Sequence, residues 1–139
     1  MEIIANALQT VVANQNVYFT DEVTGGNCTI MHRDDSGLVT LKGVTNQCRA
    51  RYKVTFGGNI SIPTDGTVGA ISLALAIEGE PVGSTTMTVT PAAVNEFWNV
   101  FNAVFIDVPR GCCVTVSVKN VSTQSVNVQN ANLIVERVA

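Results

Sequence analysis

His32 is the only histidine of the chain, with Cys28 just before it and Asp34, Asp35 and Ser36 just after. A Ser–His–Asp or Cys–His site can be drawn from those types. Such a site needs a base, an orienting group and a nucleophile that converge on one substrate atom. Neighbours at i+2 and i+3 across a strand and turn seldom do so. His32 therefore reads as a structural or surface histidine, and no catalytic residue is assigned. Asp34-Asp35-Ser36-Gly37 offers oxygens to a hard cation, but calcium takes about six to eight of them. Asp- and Gly-rich segments are ordinary turn chemistry, so the sequence alone points to no metal and no cofactor. Nothing in the spacing of the acids marks out a pair suited to glycoside hydrolysis.

Arg49, Arg51 and Lys53 fall on one face of a strand-like segment. They could hold an anion, or they could simply be solvated or paired across strands with Asp107 or Glu136. Cys28, Cys48, Cys112 and Cys113 lack the paired CxxC or CxxH spacing of a zinc site. On a strand, Cys112 shares a side with Val114, Val116 and Val118, while Cys113 sides with Thr115, Ser117 and Lys119. Buried free thiols are the expectation, with a Cys28–Cys48 or intersubunit disulfide as the alternative.

The elements that must carry these residues are strands. Ile71, Leu73, Leu75 and Ile77 alternate with smaller residues. Ala50, Tyr52, Val54 and Phe56 alternate with Arg49, Arg51, Lys53 and Thr55, a period of two rather than 3.6. Gly25-Gly26, Gly57-Gly58-Asn59, Pro63-Thr64-Asp65-Gly66 and Pro109-Arg110-Gly111 punctuate the runs. Strands are expected near 8–12, 17–20, 27–33, 38–42, 48–57, 69–78, 83–90, 97–108, 112–119 and 126–137. Helix is nearly absent. The fold class is all-β, a ten-stranded two-sheet jelly-roll sandwich spanning residues 1–139 as one domain.

Composition narrows the function. The chain is 46% apolar and only 14% charged, with a net charge of -3 and eight scattered Lys and Arg. Disorder needs the reverse balance, and nucleic-acid binding needs clustered cations. No apolar run approaches the roughly 20 residues of a membrane helix, so neither nucleic acid nor membrane insertion is expected. The opening MEIIANALQTVV shows no basic n-region or sustained apolar segment of a secretory signal. A product made in the cytoplasm, or released in an assembled particle, is expected.

One strand breaks the alternation. FWNVFNAVFIDV (Phe97–Val108) places Phe97, Phe101, Ala103 and Phe105 on one parity and Trp98, Val100, Val104, Ile106 and Val108 on the other. Side chains alternate between the two faces of a strand, and a sheet with one wet face alternates apolar with polar. This strand needs two dry faces. With no helix to cover the second, the expected cover is another copy of the chain, although sequence leaves open which parity faces it.

LQTVVANQNVYFT (Leu8–Thr20), CTIMHRDDSGLVTLKG (Cys28–Gly43), CRARYKVTFGGNI (Cys48–Ile60), ISLALAIEGEPVGSTTMTV (Ile71–Val89) and the ending VPRGCCVTVSVKN…VNVQNANLIVERVA together resemble a known pattern. It is that of trimeric tumour-necrosis-factor-like (TNF-like) and complement-globular-head-like jelly rolls. The bacterial exosporium-glycoprotein and phage virion branch is most similar. A glycine usual before the tyrosine strand is replaced around Cys48–Tyr52, and no collagen-like stalk precedes the domain. The resemblance implies a homotrimer in which the sheet holding residues 97–108 faces the three-fold axis. It makes Tyr52, Phe97, Phe101 and Phe105 candidate interface aromatics, and Arg49 and Arg51 candidates for charge near that axis. It further implies a non-enzymatic structural module on a virion, such as a decoration or head fibre partnered by capsid or tail proteins. The alternative is an adhesin for a host surface glycan or receptor, on a phage tail tip or a bacterial spore or cell surface.

Overall fold

A computed structural model describes all residues, Met1–Ala139. Twelve strands make two antiparallel sheets. They are β1 (Glu2–Ala5), β2 (Gln9–Val11), β3 (Asp21–Thr24), β4 (Ile30–His32), β5 (Val39–Lys42) and β6 (Arg49–Ser61), followed by β7 (Ile71–Ile77), β8 (Glu80–Pro81), β9 (Met87–Val89), β10 (Trp98–Pro109), β11 (Cys113–Asn120) and β12 (Val126–Arg137). The first sheet runs β10-β6-β12-β1-β3, with β2 also on β12. The second runs β4-β5-β11-β7-β8, with β9 also on β7.

The alternation read from sequence is what closes the sandwich. Ala50, Tyr52, Val54, Phe56 and Ile60 of β6 point inward, opposite Val39, Leu41, Ile71, Leu73, Leu75, Val116 and Val118 of the second sheet. These belong to a single cluster of 28 buried residues, the expected number of cores for one domain. Strand β12 begins with even residues inward (Val126, Val128) and ends with odd ones inward (Ala131, Leu133, Val135). The switch occurs at Asn130, which has φ 55° where the pairing with β6 shifts register. That extra residue is a β-bulge, and it re-aims everything after it.

Local turn chemistry joins the strands. Glu78 and Gly79 both have positive φ, as a two-residue hairpin loop requires. They link β7 to β8. Between β10 and β11 the Cys112 amide donates to the Pro109 carbonyl at 3.1 Å, and Gly111 takes φ 78°, the left-handed position such a turn assigns to glycine.

The ten expected strands become twelve. The segment near 17–20 makes only isolated bridges at Asn16 and Phe19. The expected strand at 83–90 divides into a 3-10 turn at Gly83–Thr85 and the short β9. Strands β1, β3 and β8 fall outside every expected strand.

Candidate functional site

The first sheet has one face on the core and one face open. Along β10, Val100, Ile106 and Val108 are buried, so the even parity packs inward. The odd parity points out: Phe101 is 66% and Phe105 63% exposed, with Ala103 half-buried between them. Phe97, just before the strand, and Trp98, its first residue, are exposed as well. The surface extends across the sheet by register. Ala103 lies opposite Thr55, which lies opposite Ile134 of β12, which in turn meets Glu2 of β1. Phe101 lies opposite Gly57, followed by Asn132 and Ile4. A Cβ added at Gly57 would sit 3.9 Å from the Phe101 ring, so the glycine leaves open ground beside the ring. Ile134 and Ile4 continue the apolar surface toward the far side of the sheet.

A polar margin closes one end. Asp107 lies directly opposite Arg51, and the guanidinium donates twice to the carboxylate, Nε to Oδ1 at 2.8 Å and Nη2 to Oδ2 at 3.1 Å. Arg49 approaches the same carboxylate at 3.8 Å. The hydrogen bond from Arg51 is the main reason the Asp107 carboxyl is held below its ordinary range. Desolvation opposes the shift, and the charges of Arg51 and Arg49 assist it. The same bond and charge raise the Arg51 guanidinium further. Of the two sequence readings for these arginines, cross-strand pairing is what the geometry shows. Gln47, Cys48, Arg49, Arg51, Asp107 and Ala139 line a shallow depression of about 310 Å³ here. Its one carboxylate side chain, Asp107, is committed to arginine.

The remaining sequence candidates separate. Tyr52 is not on the open face: it is fully buried, and its hydroxyl donates to the Lys42 carbonyl. The even parity of β6 sends it into the core, so its place among the exposed interface aromatics is corrected. The thiol expectation also changes, because all four cysteines are exposed and unpaired. Cys112 lies in the turn before β11 and Cys48 before β6, where strand parity no longer governs direction. His32 does not meet Cys28 in a nucleophile pair. Its ring lies edge-on to Phe19, with centroids 6.5 Å apart, and its Nε2 is 2.9 Å from the Ser36 carbonyl.

Two antiparallel sheets in this order, with the three longest strands β10, β6 and β12 side by side in one of them, form a jelly roll of the TNF-like type. Among solved structures the chain is similar to the globular domain of the zebrafish complement 1qA protein. The TM-score is 0.64 at 15% identity, over 96% of this chain and 93% of that one. It is also similar, at TM-scores of 0.40 and 0.36 and identities of 10% and 13%, to the CBM35 of Cellvibrio japonicus Abf62 and that of Paenibacillus barcinonensis. These cover 100% and 98% of this chain, and 98% of each partner. No protein-family model and no curated protein matches the sequence.

Proposed function

We propose that the chain is a non-enzymatic, homotrimeric structural module whose open sheet face is the contact between copies. The observation that carries this reading is the pair of rings on one edge strand, Phe101 and Phe105, the two most exposed large hydrophobic residues of the chain. Contiguous exposed apolar ground rimmed by polar residues marks an interaction surface, and here the Arg51–Asp107 pair supplies part of the rim. The β10 half of the face carries the aromatics, and the β1–β12 half carries Ile4 and Ile134. Two different halves meeting make a head-to-tail contact, which closes into a ring when the rotation between copies allows it. Three copies is the number that fits the TNF-like fold. The finer role is display on a particle surface, most concretely as a phage virion decoration or head fibre contacting capsid or tail proteins. Sedimentation and native mass measurement test the assembly: a trimer is expected, and a monomer at high micromolar concentration would refute it.

A second reading, a glycan- or receptor-binding adhesin, is favoured by one feature. Trp98 and Phe97 are exposed at the start of β10 beside Asn99, whose side-chain amide donates to Asn59 and to the Gly58 carbonyl. Exposed rings among oriented amides suit a sugar face. Binding on a glycan array that is lost in Trp98→Ala would favour this reading over a purely structural one.

A further inference from the structure

Where β3 leaves the edge of the first sheet and β4 lies at the edge of the second, the Glu22, His32 and Asp34 side chains come together. Their donor atoms lie within 4.8 Å of one another. The His32 ring is completely buried, the residue's remaining exposure being main chain. Its Nε2 faces the Ser36 carbonyl oxygen at 2.9 Å. A carbonyl can only accept, so Nε2 carries the proton, and in the neutral ring Nδ1 presents a bare lone pair. That nitrogen has no hydrogen-bond partner. It looks instead at the Glu22 Oε1, 3.8 Å away, another acceptor. Two facing lone pairs hold no proton to share, so they make no hydrogen bond, and 3.8 Å is beyond the range of one in any case. Something positive belongs between them, and the gap suits two ligands bound to one ion at about 2.0–2.2 Å each.

We propose that Glu22, His32 and Asp34 form a binding site for a divalent transition metal of the zinc type. One imidazole and two carboxylates suit zinc and its neighbours, whereas calcium and magnesium take oxygen alone. Three protein ligands leave a fourth, tetrahedral position for water. The outer shell is already built, because the Ser36 carbonyl fixes the ring and also accepts the Phe19 amide at 3.1 Å. A metal-bound histidine ordinarily gives its other nitrogen such a partner. The Asp34-Asp35 turn is too poor in donors to hold an ion by itself; β3 supplies the missing carboxylate. The ion would tie the edge of one sheet to the edge of the other through β3, whose residues are all exposed.

His32 is the only histidine, so its imidazole resonances report this site alone. Protein carrying ¹⁵N-histidine is titrated with Zn²⁺ at neutral pH under reducing conditions. One equivalent should move the Nδ1 resonance from its lone-pair position to a metal-bound one while Nε2 keeps its proton. Glu22→Gln and Asp34→Asn alter exposed carboxylates and spare the buried ring, and each should weaken binding by roughly tenfold or more, by analogy with lost metal-site partners. Zinc taken up with Nδ1 unmoved would place the metal on the exposed thiols and overturn the proposal. So would an Nδ1 already protonated and indifferent to zinc, or affinity unchanged in both variants.

Discussion

Removing the Phe101 ring tests the assembly face most directly. The residue is 66% exposed on the isolated protomer, and an aromatic side chain offers roughly 150–250 Å² to bury. About 100–150 Å² therefore remains for a neighbour to cover. At about 25 cal/mol per Å², and allowing for the Cβ that alanine keeps, Phe101→Ala should weaken the contact by about 2–3 kcal/mol per chain. A closed trimer holds the residue three times, so its dissociation free energy should fall by about 6–9 kcal/mol. Each 1.4 kcal/mol is about tenfold in an equilibrium constant, and the half-dissociation concentration of a trimer follows the square root of that constant. The midpoint should rise by roughly a hundredfold to a thousandfold. Sedimentation velocity across a dilution series reads it, and circular dichroism confirms that the sandwich persists, since the ring makes little of the protomer's own core. The harsher Phe101→Asp should give monomeric or insoluble protein. A soluble trimer with unchanged midpoint and melting temperature in both variants would refute the placement of β10 in the contact.

Other consequences concern the frame. Tyr52→Phe removes only the hydroxyl that reaches the Lys42 carbonyl; it should cost about 1–2 kcal/mol in chemical denaturation and leave the assembly state unchanged, which an interface tyrosine would not. The depressed Asp107 carboxyl makes its pair with Arg51 stabilising above the ordinary aspartate value of about 3.9, and that contribution disappears as pH falls through the lower folded value. The small melting-temperature gap between wild type and Asp107→Asn should therefore be present at neutral pH and close in acid, and a gap that widens in acid would contradict the pairing. The exposed Cys28, Cys48, Cys112 and Cys113 should all react with a chromogenic disulfide in the folded state, whereas thiols released only by denaturant would restore the buried reading.

Alternation carried most of the fold because it is a local record of burial. β6, β7, β11 and β12 have long runs in which every second residue meets the core, and their existence was legible. β1 was not, because its four residues are held by register with β12, Glu2 to Ile134 through Ala5 to Ala131, and too few of them alternate. β3 has no buried residue at all, so nothing in its sequence announces a strand. That gap hid Glu22 as a partner of His32, since the acid arrives from an unforeseen edge. Parity failed at Cys112 for a related reason: a side-chain direction can be counted only inside a strand, and this thiol belongs to the turn. Tyr52 shows the opposite lesson. Its own period placed it with Ala50, Val54 and Phe56, and only the family resemblance carried it outward. For Phe101 and Phe105 the sequence showed that both faces of the strand were apolar. The packing of Val100, Ile106 and Val108 into the core between the sheets was needed to say which face is open.

The edges of the two sheets explain why that open face matters. An edge strand presents unpaired backbone groups and invites uncontrolled pairing unless it is short, charged or covered. β3 is four residues long with two acids, β4 is three residues, and β8 is two. Those edges are guarded by brevity or charge. β10 is twelve residues long. Its one charged side chain, Asp107, is bound to Arg51, its single proline stands at the very end, and Phe101 and Phe105 flank Ala103 where a lysine would have served as a guard. An edge this long and apolar is consistent with only one of the remaining protections, which is cover. Cover by a helix is absent from the fold, and cover by an open chain of copies would leave the last β10 bare. A closed assembly leaves none, so the same residues that make β10 hazardous in isolation mark it as the seam of the proposed trimer.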